Sequence, residues 1–243
     1  MDPTINIEHF EIATRFRGPP RSGNGGYTCG RIARHLPAPV TVRLKAPPPL
    51  GAGLRLESGD RQARLYCGTT LIGEGASAPL DLAAPPCPGP AAAEAATRSF
   101  AGFTSHLFPG CFVCGTERAV GDGLRIFPGP VDAAGTLAAP WTPDASLADE
   151  AGAIHPEFLW SALDCAGAYA IFPLPEGSAV VLGELAADIR GPLQAGDRCV
   201  VTGWPLGISG RKRVAGTAIY ASGGRLAAIG RAVWIEVPLD TWN

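Results

Sequence analysis

Two segments of the chain carry residues that could do chemistry on a carbonyl group. In the first, Asn24, Gly25 and Gly26 open a predicted helix over residues 27–36. The first N–H groups of a helix have no partner within it and lie at its positive end, so they can stabilise an oxyanion, and glycine lets a ligand approach the backbone closely. The alternative is a tight turn in which Asn24 only caps the helix.

Asp164 is the second candidate, because it lies in the middle of an otherwise apolar helical pattern. Apolar residues at three- and four-residue spacing predict a helix over residues 155–171, whose only charges are Glu157 near its start and Asp164. A carboxylate in such a setting is costly unless it is paired or used. It could be a general base or a nucleophile, or it could simply bond to nearby backbone or to a basic residue such as Lys45 or Arg190.

Two further groups of residues have weaker signals. His155 comes directly before Pro156, a residue favoured at the first helical position, so His155 either begins the helix structurally or lines a second site. The short basic run Arg211, Lys212 and Arg213 could bind phosphate groups, and it could equally be a solvated strand edge at which positive charge discourages pairing.

The cysteines predict neither disulfides nor a metal site. Their number, seven, is odd, and the chain shows no sign of secretion. Cys111 and Cys114 form a lone Cys-x-x-Cys motif, and although Cys87 and His106 are near in sequence, no second pair completes the four ligands of a structural zinc. We therefore expect no metal and no cofactor.

Composition restricts the class of protein. The chain has 243 residues, 46% of them hydrophobic and 17% charged, with a formal net charge of −2, which fits a globular protein and does not indicate a nucleic-acid partner. No apolar stretch reaches about 18 residues, and residues 1–4 lack the features of a signal peptide. We expect a cytoplasmic protein without a membrane partner.

The pattern of elements predicts an α+β protein in two halves. Residues 1–80 and 109–243 each read as a strand, a helix and then a meander of strands, and the Pro/Ala-rich segment 81–108, which shows no periodicity, is predicted to link them. The strands are predicted at 5–16, 40–45, 54–57, 63–67, 71–78, 124–127, 135–141, 180–190, 197–204, 214–221 and 225–237.

The halves also share local features that indicate an internal duplication. Segments 42–53 and 187–197 are both a strand that ends in a basic residue, followed by a proline-containing corner and a glycine. Segments 65–69 and 219–223 both bring an aromatic strand end into a tight turn.

Three motifs carry a family resemblance: residues 22–27, the segment 111–115 leading to 123–126, and the stretch from His155 to Asp164. In these motifs the chain resembles the hotdog-fold thioesterases, including the phenylacetyl-CoA and hydroxybenzoyl-CoA thioesterase groups, in a tandem double-hotdog version. The resemblance implies two antiparallel sheets, each wrapped around a central helix and paired as a pseudo-dimer. It also implies an acyl-CoA ligand and active sites between the halves, and it leaves a homo-oligomer possible.

In one large branch of that family the helix opens with His-Gly-Gly, and an Asp follows nine positions after the His. Here His155 and Asp164 keep the spacing, but Pro156 and Glu157 replace the glycines. The first half keeps the glycines, but Ala33 takes the place of the Asp. If the sites lie between the halves, the glycine-opened helix faces Asp164 in one complete site, and the His155 side has no acid.

The resemblance therefore predicts an acyl-CoA thioesterase-like hydrolase that cleaves its substrate at the interface of the two halves. The alternative is a non-catalytic acyl-CoA binding or scaffold protein that kept the fold and lost the chemistry. A third reading is a hotdog hydratase built on Asp149 and His155, whose sequence context does not look like that branch.

Overall fold

A computed structural model describes residues 5–242; residues 1–4, on which the signal-peptide argument rests, and Asn243 lie outside the described residues. The described chain forms three α-helices, namely α1 (Gly25–Ala33), α2 (Pro90–Thr97) and α3 (Pro156–Ala170). The strands are β1 (Asn6–Phe10), β2 (Val40–Leu44), β3 (Leu54–Ser58), β4 (Gln62–Cys67), β5 (Thr70–Ser77), β6 (Gly129–Pro130), β7 (Leu137–Trp141), β8 (Ser178–Ile189), β9 (Cys199–Ser209), β10 (Lys212–Tyr220) and β11 (Leu226–Pro238).

All of these strands pair antiparallel in one sheet of eleven strands, in the order β1-β3-β4-β5-β2-β8-β11-β10-β9-β7-β6. The pairing of β2 with β8, from Val40 opposite Ala187 to Arg43 opposite Glu184, joins the N-terminal strands to the C-terminal ones. The strands on the two sides of this junction follow the same order. Outward from it, the strand after the helix comes first and the strand before the helix comes last, in β2-β5-β4-β3-β1 around α1 and in β8-β11-β10-β9-β7 around α3. A large antiparallel sheet with few helices agrees with the predicted α+β class.

Helix α3 is buried along nearly its whole length because it is apolar on almost every face. Phe158, Leu159, Ala162, Leu163 and Ala166, the residues whose spacing predicted the helix, all lie in the main core. Within residues 5–242, no helix has the length and apolar character needed to cross a membrane.

Helices α1 and α3 cross at backbone contact, and two glycines permit the approach. A Cβ atom at Gly30 would lie 2.5 Å from the Cα atom of Glu157, and one at Gly26 would lie 2.6 Å from the carbonyl oxygen of Trp160. Both distances are shorter than van der Waals contact, so only glycine fits at these positions of α1. The start of α1 is thereby held against the middle of α3.

The segment that the sequence predicted as an unpatterned linker contains helix α2, which packs on the opposite face of the sheet. Successive strand residues point to opposite faces, and accordingly Ala139 lies in the main core while Ala138 joins Ala93 of α2 in a second cluster. The helix was missed because alanine on all sides gives no amphipathic period.

Two predicted strands also differ from the structure. The strand predicted at residues 5–16 ends at Phe10, and the chain then bends so that Phe16 stacks on Tyr27 with 4.4 Å between ring centroids. Residues 124–127 form no strand, because the N–H groups of Leu124 and Ile126 bond to the backbone of residues 112–113 instead of to the sheet.

The close crossing of α1 and α3 predicts that replacing a glycine of α1 lowers the stability of the protein. Alanine normally stabilises a helix interior relative to glycine by about 0.5–1 kcal/mol, but Gly30→Ala forces its methyl group onto the α3 backbone. We expect a net loss of roughly 1–3 kcal/mol in the free energy of unfolding, measured by urea denaturation. Gly53→Ala is the control, because no atom lies within 4 Å of its new methyl group; equal stability of the two variants would contradict the close crossing.

Candidate functional site

Asp164 lies in the middle of α3 and places its carboxylate at the N-terminus of α1. Its Oδ2 atom accepts hydrogen bonds from the Asn24 side-chain amide, at 2.7 Å, and from the Gly26 backbone N–H, at 2.9 Å. The residue is only 2% exposed. The structure therefore brings together the two segments that the sequence singled out.

Asn24 is both a helix cap and a partner of the carboxylate. Its Oδ1 atom accepts the N–H of Tyr27 at 2.9 Å, which is the usual N-cap bond, while its Nδ2 group donates to Asp164. Capping fixes the orientation of the amide, and that orientation directs the N–H donor at α3. The capping role and the site contact thus occur in the same side chain.

The second carboxylate oxygen of Asp164, Oδ1, is buried and has no hydrogen-bond partner among the described residues. Burial raises the pKa of Asp164 to about 7; the hydrogen bonds from Gly26 and Asn24 act in the opposite direction, and the nearby Cys111 adds to the rise. An unpaired buried carboxylate oxygen lowers the stability of a protein, and this cost makes Asp164 a candidate for a functional residue.

Gly25 supplies the first N–H of α1, and this group has no acceptor among the described residues. The neighbouring Gly26 N–H is already taken by Asp164. A Cβ atom at Gly25 would lie 2.8 Å from the Cβ of Leu182, so the backbone fits tightly against β8. Of the two glycines, Gly25 is the one whose N–H remains available to a ligand.

Asp164, Asn24 and Gly25 border one cavity of about 250 Å³. Its walls are mostly apolar, and they come from the end of β2, from α3, from β8 and β11, and from the loop before Cys111. The larger apolar side chains are Leu44, Phe108, Tyr169, Phe172, Leu182 and Trp234. A small apolar cavity with a few polar groups at one point is the usual form of a small-molecule site.

Three cysteines line the same cavity. The Sγ atoms of Cys111, Cys114 and Cys165 all lie within 4.8 Å of one another, and those of Cys111 and Cys165 are 3.8 Å apart. Hydrogen bonds from the Cys114 and Cys165 thiols hold the pKa of Cys111 well below its usual range, and the same contacts raise the pKa of the other two. The sequence indicated only the Cys-x-x-Cys pair, although Cys165 directly follows Asp164.

No protein-family model and no curated protein sequence matches the chain. Among solved structures, a protein assigned as a thioesterase II from Thermobifida fusca is 17% identical with a TM-score of 0.60, and the match covers 96% of this chain and 92% of that one. A thioesterase from Haemophilus influenzae is 18% identical with a TM-score of 0.45, covering 52% of this chain and 86% of that one. The PaaI protein of the Escherichia coli phenylacetic acid degradation operon is 23% identical with a TM-score of 0.43, covering 50% and 86%.

The chain has a hotdog fold. The match that spans nearly the whole chain shows this, so the resemblance seen in the sequence is confirmed for the fold. At 17% identity the likeness establishes the fold alone.

His155 lies apart from the cavity that contains Asp164. It precedes Pro156 as the N-cap residue of α3 and makes no side-chain cap bond. Together with Asp149 and Arg190 it borders a second depression, formed by the start of α3 and the end of β8. Of the described residues, those lining this depression include no acid that corresponds to Asp164.

The basic run, residues 211–213, also lies outside the cavity that contains Asp164. Arg211 and Lys212 are exposed at the turn between β9 and β10, and neither borders the cavity. Arg213 is buried, where it pairs with Glu236 at 3.1 Å and donates to the carbonyl oxygen of Ile171. Its charge is therefore neutralised by a residue of the same sheet.

The basic partners suggested for Asp164 are wrong. The Nζ atom of Lys45 pairs with Glu74 at 2.9 Å, and Arg190 pairs with Asp188 at 2.8 Å. Both pairs lie at the partly exposed surface of the sheet, whereas Asp164 is buried. Its partners are the amide of Asn24 and the backbone of Gly26.

The dual role of Asn24 predicts a difference between two substitutions. Asn24→Asp keeps a good cap but replaces the donor to Asp164 by an oxygen, and we expect it to lower the free energy of unfolding by about 1–3 kcal/mol at neutral pH. Asn24→Ala loses both contacts and should be at least as destabilised, as measured by chemical denaturation. Asp144→Ala, which removes an exposed cap from a short helical turn, is the control. An Asn24→Asp protein as stable as wild type would show that the bond to Asp164 contributes nothing.

Proposed function

We propose that the chain is a tandem double hotdog, with residues 1–80 and 109–243 as its two units and 81–108 as the connection. The matching strand order on both sides of the β2–β8 junction supports this division. The packing of α1 against α3 supports a pairing in which each unit contributes one central helix. The connection carries helix α2 and crosses the outer face of the second unit.

We infer that the cavity between the two units hydrolyses an acyl thioester. The observation that carries this proposal is the unpaired, buried Oδ1 of Asp164 at the edge of an apolar cavity, beside the start of a glycine-opened helix. Hydrolysis needs a group that stabilises the developing oxyanion and a group that activates the attacking oxygen. Gly25 and Asp164 have the chemistry for these two roles.

In the proposed reaction the thioester carbonyl oxygen accepts the free N–H of Gly25. Asp164 then acts through Oδ1, either by taking a proton from a water molecule that attacks the carbonyl carbon or by attacking the carbon directly. In the direct route the C–S bond breaks as a mixed anhydride forms on Asp164, and water then hydrolyses the anhydride to give the free acid and the original carboxylate, while a proton from that water passes to the thiolate. In the water route the C–S bond of the tetrahedral intermediate breaks, and the proton held by Asp164 passes to the departing thiolate. Asn24 and Gly26 hold Oδ2 throughout and are positioning groups, because their hydrogen bonds keep the carboxylate aimed at the cavity.

Acyl-CoA is the proposed ligand class. The apolar walls suit an acyl group, and the modest volume favours a short one over a long chain. Arg211 and Lys212 remain candidates for the CoA phosphates because they are exposed, but Arg213 is not, since Glu236 neutralises it. His155, which borders the depression that has no counterpart of Asp164, is proposed to have no part in hydrolysis.

Substitution of Asp164 tests the proposal directly. Free coenzyme A released from a panel of acyl-CoA substrates is measured by chromatography, for wild type, Asp164→Asn and Asp164→Ala. We expect both variants to lose roughly 10²-fold or more in turnover, the usual contribution of a general base. His155→Ala is the matched control, since it also alters a polar residue of α3 or its cap, and it should keep wild-type turnover.

Melting temperatures and circular dichroism of the same variants separate lost chemistry from lost structure. A folded Asp164→Asn protein with full activity would refute the assignment of the carboxylate. Wild-type protein that binds acyl-CoA in calorimetry but releases no coenzyme A would refute hydrolysis and support the non-catalytic acyl-CoA binding alternative, which uses the same cavity.

A further inference from the structure

Three cysteine thiols converge beside the proposed site from two separate parts of the chain. Cys111 and Cys114 come from the loop before β6, and Cys165 comes from the middle of α3. All three are buried and are free thiols, and all three border the cavity. The proposed hydrolysis uses none of them.

We propose that Cys111, Cys114 and Cys165 bind one thiophilic metal ion, with Zn²⁺ as the best fit, whose fourth coordination position faces the cavity. Zinc–thiolate bonds of about 2.3 Å at tetrahedral angles separate two sulfur atoms by about 3.8 Å. The Sγ atoms of Cys111 and Cys165 are 3.8 Å apart, and all three lie within 4.8 Å of one another. Small side-chain rotations would complete a three-sulfur site.

The loop that presents the first two thiols is held firmly in place. The side chain of Phe112 is fully buried, its N–H donates to the carbonyl of Arg17, and its own carbonyl accepts the N–H of Leu124. A Cβ atom at Gly115 would lie 2.3 Å from the carbonyl oxygen of Cys111, so the turn that closes the motif requires glycine. The cysteines are therefore preorganised on a rigid turn, as metal sites require.

Backbone donors near one of the three sulfur atoms, that of Cys111, would stabilise a thiolate there. The backbone N–H groups of Val113 and Cys114 are directed at the sulfur of Cys111. Binding of one Zn²⁺ would displace the three thiol protons to solvent, and the ion would offset most of the buried negative charge.

Three protein ligands and an open position are the arrangement of a zinc that also binds an external ligand. His106 borders the cavity but is not a fourth ligand, because its Nε2 lies 2.9 Å from the carbonyl oxygen of Cys114 and its Nδ1 accepts the N–H of Phe108 at 3.0 Å. Within residues 5–242, the group of mutually close donor atoms contains these three cysteines alone. The fourth position is thus available to water or to the sulfur of a bound thiol.

The test measures the metal and not hydrolysis, so its result does not depend on the proposed function. Full-length protein is purified under reducing conditions, loaded with Zn²⁺, desalted and analysed by mass spectrometry for metal content. We expect about one zinc per chain. Replacement by Co²⁺ should give the intense near-ultraviolet thiolate charge-transfer band and the visible bands of a tetrahedral site.

Single substitutions assign the ligands. Cys111→Ser and Cys165→Ser should lose most of the metal and the charge-transfer band, whereas Cys199→Ser, at a buried cysteine outside the group, should keep both. Wild-type protein without bound zinc and without a cobalt–thiolate band would overturn the proposal, whether or not the variants fold. Equal loss of metal in Cys199→Ser would overturn the assignment. A disulfide among the three cysteines in the freshly isolated protein, found by peptide mapping, would replace the metal site by a redox pair.

Discussion

A carboxylate buried at the N-terminus of a neighbouring helix is the interaction on which the rest of this structure depends. Asp164 has two hydrogen-bond donors, Asn24 and Gly26, and both belong to the first turn of α1 or its cap. An apolar environment makes an unpaired carboxylate very unfavourable, so α3 tolerates Asp164 only while α1 is in place. The packing of the two helices and the geometry of the cavity are therefore set by the same contacts.

The continuous sheet makes that arrangement possible. Strands β2 and β8 follow α1 and α3 directly, and their pairing fixes where the two helices lie relative to each other. With the sheet as a common base, Gly26 and Gly30 bring α1 to backbone contact with α3. Long-range strand pairing thus determines the distance between the start of α1 and Asp164 on α3. Catalysis would need that distance to be fixed to within about 0.5 Å.

The sequence predicted the parts of this structure that follow from a local period, and it missed those that follow from packing. The apolar spacing of α3 and the alternation of most strands gave correct elements, and Asp164, a charge in an apolar pattern, marked the candidate site. The partners of Asp164 could not be read locally, because Lys45 and Arg190 have their own acidic neighbours at the sheet surface. Helix α2 was missed since alanine-rich segments have no polar face.

Cys165 was not predicted from the sequence for a different reason. Its neighbour Asp164 stands out because a charge in an apolar helix breaks the pattern, whereas a cysteine there resembles any small core residue. Only the docking of the loop with Cys111 and Cys114 against α3 gives Cys165 its significance, and that contact joins residues far apart in the chain. Side chains that do not disturb the local pattern give no signal in an analysis of periodicity, even when the fold brings them together.

The unequal chemistry of the two helix starts follows from having both in one chain. In a symmetric dimer each residue change alters both sites, because the interface repeats it. In the proposed tandem arrangement Ala33 stands where the first unit would carry an acid, and Pro156 and Glu157 stand where the other helix start carries Gly25 and Gly26. The His155 side could therefore lose both its acid and its open backbone while the side with Asp164 kept a complete set. A covalent link between the units removes the requirement that both sites stay the same, and this freedom would also allow the cysteine loop to be present on one side alone.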